Sequence, residues 1–133
     1  MTTELAVLAW GCLLAIVHIF AATRAKTAQY GTKWNVGVRD EELPPLNPLA
    51  GRLARAQANF FETFPVMIAA VAIVSIADLE TRWTAIGALL WLGARVVYLP
   101  LYAFGVPVVR TLTFMVSVVG IGLVLAPAIR AGF

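Results

Sequence analysis

The chain has 133 residues, of which 61% are hydrophobic and only 13% charged, with a formal net charge of +3. Soluble domains run at about 45–50% apolar and about 25% charged, and a domain this short has too little interior to hide the excess, so the bilayer is the natural solvent. The single cysteine, Cys12, excludes an internal disulfide, and no aromatic-basic interleaving points to nucleic acid.

The first apolar stretch runs roughly from Leu5 to Ala22. Met1-Thr2-Thr3-Glu4 lacks a basic n-region, so this segment reads as a span and not as a cleaved signal. Gly11 and Ala15 have the small-xxx-small spacing that lets helix backbones approach. Cys12 reads as an inert packing residue. His18 lies deep in the apolar run and reads as a hydrogen-bonded packing residue. With no second histidine, a His-based metal site is excluded.

A polar connector follows over residues 23–51, carrying Arg24, Lys26, Lys33 and Arg39, with Arg52 and Arg55 just beyond. Its turn-forming runs Asn35–Asp40 and Asn47-Pro48, and the extended Pro44-Pro45 pair, predict an ordered segment. Tyr30 and Trp34 suit the headgroup interface. Composition favours a plain connector over a lid.

Three further apolar stretches run roughly over residues 56–77, 83–104 and 106–128. Each of the four approaches the roughly 20 residues that cross about 30 Å of hydrocarbon. None alternates as a barrel strand would. The connections at Asp78–Arg82 and Gly105–Pro107 are short, which makes neighbours antiparallel. Gly120 and Gly122 offer close packing in the last span. The expected fold is all-α: one domain over residues 1–133, an integral membrane four-helix bundle of up-down topology. The basic residues place the 23–51 connector in the cytoplasm and both termini outside.

Glu62 stands where a span should hold nothing polar. A charge at bilayer depth costs about 2.5–3.5 kcal/mol on insertion scales, so it needs a partner within the protein. Arg55, Asn59 and Glu62 are spaced i, i+4, i+7, and Arg95, Tyr98 and Tyr102 i, i+3, i+7; each set shares one helix face. Arg110 and Thr111 open the last span. Topology brings all three groups to one depth, near the cytoplasmic side. Three arginines, a carboxylate, an amide and two phenols suit a compact zwitterionic or anionic ligand, because arginine forks match carboxylates. An arginine beside a thiol would also favour the thiolate. Spacing equally allows a structural reading, with Glu62 paired to Arg95 and with Arg55 and Arg110 snorkelling to headgroups.

The run Arg55-Ala56-Gln57-Ala58-Asn59-Phe60-Phe61-Glu62-Thr63-Phe64-Pro65 resembles the second-helix signature of the MAPEG family, the membrane-associated proteins in eicosanoid and glutathione metabolism. Arg95 followed by Tyr102, then Arg110-Thr111, resembles its third- and fourth-helix pattern. Asn35-x-Gly37-x-Arg39-Asp40 with Pro44-Pro45-Leu46 is similar to the bacterial branch, which implies a bacterial inner membrane. The resemblance implies a homotrimer that holds glutathione, as cosubstrate, between protomers. It assigns Asn59, Glu62 and Tyr102 to ligand contact, Arg110 to thiolate stabilisation, and a hydroxyl role to Thr111. Arg95 matches a third-helix position, and Arg24 matches loosely a basic residue ending the first helix. Two departures are Ala58, where several eukaryotic members carry a basic residue, and Tyr98, where some carry His.

The leading expectation is a membrane glutathione transferase or peroxidase. Arg110 and Tyr102 would carry the chemistry on a small lipophilic electrophile. Arg55, Asn59, Glu62, Arg95, Tyr98, Thr111 and Arg24 would line the site. The alternative is a non-enzymatic membrane protein that binds lipid or a partner, its intramembrane ion cluster being structural.

Overall fold

The computed structural model describes residues 1–132; Phe133, the last residue of the expected domain, lies outside them. Five helices follow in order: α1 (Thr3–Tyr30), α2 (Thr32–Val36), α3 (Pro48–Ile76), α4 (Arg82–Ala103) and α5 (Pro107–Ala131). Four of them, 22 to 29 residues long, are apolar enough to cross a membrane. At the helical rise these lengths span about 33–44 Å.

The first span overruns its apolar stretch. Thr23–Tyr30 stays helical because Arg24, Ala25, Lys26, Ala28 and Gln29 favour helix although they are not all apolar. The helix stops at Gly31, whose φ of 95° is open to glycine. The connector is therefore shorter than the polar stretch, and α2 occupies part of it. Gln29 ties it down: its Nε2 donates to Pro45 O (2.9 Å), and its Oε1 accepts from Asn47 N (2.7 Å). Tyr30 OH donates to Pro44 O, and the Arg39 guanidinium stacks on Trp34 at 4.5 Å. Asn47 and Pro48 form a helix start: the Asn47 side chain accepts from Ala50 N (2.8 Å), and Pro48 fills the first turn.

Small residues set the packing. A Cβ on Gly87 would meet Gly120 O at 2.6 Å, and one on Gly120 would meet Gly87 O at the same distance. That contact seats α4 on α5. Gly122, read in the sequence as a second close contact, faces open space because its helix turns it outward. Gly11 leaves room for Phe64 and Trp91, which stack at 5.6 Å in the core. Around them lie Val7, Leu14, Phe60, Met67, Val71 and Val124. Trp10, Phe20, Val97, Leu112 and Val119 are exposed on the outside of the bundle, an apolar surface suited to lipid.

At the end holding the N-terminus, hydroxyls and carboxylates join three helices. Glu80 Oε1 accepts from Thr2 Oγ1 (2.9 Å) and Ser75 Oγ (2.6 Å). Glu4, only 3% exposed, accepts from Thr84 Oγ1, and Thr84 also completes a capping box with Thr81.

Candidate functional site

At the opposite end, α3, α4 and α5 bring their polar groups together. Ala56 and Phe60 are the buried face of α3; Asn59 is partly buried beside them, and Arg55 and Glu62 are exposed. On α4, Arg95 is 0% exposed, Tyr98 is buried and Tyr102 partly so. On α5, Arg110 is partly buried and Thr111 exposed.

Arg95 organises the inner part. Its Nη1 donates to Asn59 Oδ1 at 2.8 Å. Its Cζ lies 4.7 Å from the Tyr98 ring centre, 5.4 Å from Phe60 and 5.8 Å from Phe114. Ring faces attract a desolvated cation by about 0.5–2 kcal/mol each, and a bond from a charged donor adds about 1.5–3 kcal/mol. Together they offset part of the cost of burying the guanidinium. Among the described residues, Arg95 Nε and Nη2 have no hydrogen-bond partner.

Tyr98 leads outward to Tyr102, ring to ring at 5.5 Å. Two more guanidiniums approach Tyr102, Arg110 at 4.4 Å and Arg55 at 5.9 Å. Three cations from three helices thus share one pair of phenol rings. Arg110 and Thr111 also line an open groove of about 280 Å³ with Pro107, Val108 and Leu112.

Three expectations take a different form. The Glu62–Arg95 pair of the structural reading is not what holds Arg95, which bonds Asn59. Three residues of helix turn Glu62 about 60° around α3 from Asn59, and that rotation carries it to the exposed side. Thr111 Oγ1 donates back to Pro107 O at 3.2 Å, within its own helix. Arg24 lies apart from the cluster on α1, in a separate cleft of about 500 Å³ with Phe20, Thr23, Thr27, Thr32 and Asn35.

One residue gains a role the sequence did not give it. Arg52 Nη1 donates to Ala103 O at 3.2 Å, and its guanidinium packs where a Cβ on Gly105 (φ +71°) would stand. It pins the start of α3 to the turn that delivers Arg110; its place one turn before Arg55 was the only hint. His18, 1% exposed, packs as expected by stacking on Phe60 at 4.7 Å, and among the described residues neither ring nitrogen has a hydrogen-bond partner.

A sequence model of the MAPEG family matches residues 7–129. No curated protein and no solved structure matches the chain.

Proposed function

The chain belongs to the MAPEG family, and on that premise we propose that it binds glutathione and activates its thiol for attack on a lipophilic electrophile, as a transferase or peroxidase. The family and the four spans make it a multi-pass integral membrane protein. One observation carries the proposal: the guanidiniums of Arg55, Arg95 and Arg110 converge on Tyr98 and Tyr102 at one end of the bundle. Glutathione carries more carboxylates than ammonium groups, and such a surface attracts it.

Arg110 faces the thiol in this reading and favours the thiolate, since an adjacent cation lowers a thiol pKa. Tyr102, with Thr111 beside it, donates to the sulfur. Arg55 and Asn59 hold carboxylate or carbonyl groups, and Glu62 takes the ammonium. The thiol proton leaves to water. The thiolate then attacks an electrophilic carbon; a C–S bond forms, and a carbon–halogen bond breaks with loss of halide.

The exposure of Arg55, Glu62 and Thr111 supports a homotrimer in which a neighbouring copy covers this face. It also leaves room for Arg24 of one copy to reach the ligand of another. The basic connector lies on the cytoplasmic side, and both termini on the other. The non-enzymatic alternative neutralises Glu62 with Arg95. The Arg95–Asn59 bond leaves that carboxylate for a ligand.

The test is conjugation of glutathione to an aryl halide by purified protein in lipid nanodiscs. Wild type turns over, and Arg110→Ala does not, with unchanged assembly size. Equal rates in the two overturn the role of Arg110. Absence of calorimetric glutathione binding to wild type overturns the reading as a whole.

A further inference from the structure

We infer that Arg95 is a positioning residue that fixes Asn59 as a donor, so that the site meets its ligand there through a carboxylate or carbonyl oxygen and not through an N–H group. This deepens the glutathione reading and rests on it for the ligand's identity. The argument starts from chemistry. A guanidinium offers only donors, so its bond to Asn59 can be made only with the amide oxygen. The Nδ2 hydrogens are what remains for the other side. The amide cannot turn over cheaply. Arg95 is 0% exposed and held among the rings of Tyr98, Phe60 and Phe114. Its Nε and Nη2 already lack protein partners. A turned amide would set donor against donor and strand Nη1 as well, in dry surroundings where that is most costly.

The consequence is direction. Asn59 lies at the edge of the stripe it shares with Arg55 and Glu62. The Glu62 carboxylate offers acceptors, while the locked Asn59 turns its Oδ1 to Arg95 and its Nδ2 hydrogens away from it. A ligand lying along α3 must therefore present an ammonium or N–H group toward Glu62. It must present an oxygen toward Asn59 and Arg55. The reverse orientation loses both contacts.

Asn59→Asp tests this directly. It keeps the acceptor that Arg95 needs and replaces the outward donor by an acceptor. The thermal midpoint is expected to equal or exceed wild type, because a carboxylate now faces the buried cation. Glutathione affinity, by titration calorimetry, is expected to fall at least tenfold. Wild-type or tighter affinity in Asn59→Asp overturns the donor assignment. Combining the change with Arg95→Lys, which keeps the charge on a shorter fork-less chain, should erase any gain in midpoint; a gain that persists overturns the role of Arg95. If wild type binds no glutathione, the functional reading falls, and the midpoints still decide the lock: Asn59→Asp melting well below wild type overturns it.

Discussion

The two ends of the bundle treat polar groups in opposite ways. At the N-terminal end, the Glu80 carboxylate is supplied by the hydroxyls of Thr2 and Ser75, and Glu4 by that of Thr84. Two carboxylates, one in the first turn of α1 and one in the turn before α4, are answered by neutral hydroxyls from the cap of α1, from α3 and from α4. At the connector end the charge is positive, and it is answered mostly by ring faces. Arg95 keeps unpartnered nitrogens, and Glu62 stands exposed. A polar network that serves stability satisfies itself, since an unmet buried group costs about 1–3 kcal/mol. One that serves a ligand leaves places unfilled. On the proposed function the ends have separate duties: changes at one should move melting, and changes at the other should move binding.

The sharpest test is Arg110→Ala. Removing a preorganised charge from a reacting centre costs about 10²–10³ in turnover, and the thermal midpoint should barely move. A large drop in midpoint with little loss of rate would break the division. Next comes Glu80→Ala, which strips the acceptor from Thr2 and Ser75. It should cost about 1–3 kcal/mol in chemical denaturation and leave glutathione affinity within twofold. Arg52→Ala should fall between the two duties. It should lower stability by about 1 kcal/mol and turnover severalfold, because the turn before Arg110 is freed, while calorimetric affinity changes less than turnover. The smallest effect belongs to Thr111→Val. Its hydroxyl bonds Pro107 O in the protomer, so a loss of turnover beyond about threefold would show that the hydroxyl turns to the ligand during reaction.

Much of this arrangement was readable from the sequence, for reasons tied to particular residues. The spans follow from unbroken apolar runs. The shared faces of Arg55, Asn59 and Glu62, and of Arg95, Tyr98 and Tyr102, follow from helical periodicity. What periodicity cannot supply is the rotation of one helix against the next. That rotation gave Arg95 to Asn59 instead of Glu62, and it buried Gly120 but not Gly122. Hydropathy also misjudged where α1 ends, because Thr23–Tyr30 is polar enough to leave the membrane yet still a good helix. The Thr2–Glu80–Ser75 network had no signal at all: hydroxyls far apart in the chain carry no pattern until the bundle brings them together.

The overrun of α1 past Ala22, matched by the start of α3 at Pro48 before its apolar stretch, has a consequence for chemistry between immiscible partners. Eight residues of helix beyond Ala22 add about 12 Å to α1 past its apolar stretch, and on the proposed function a water-soluble thiol would meet Arg55 at this polar rim. On the same proposal the lipophilic reagent would arrive from the acyl chains below, and the bundle would serve as a phase-transfer surface between the two.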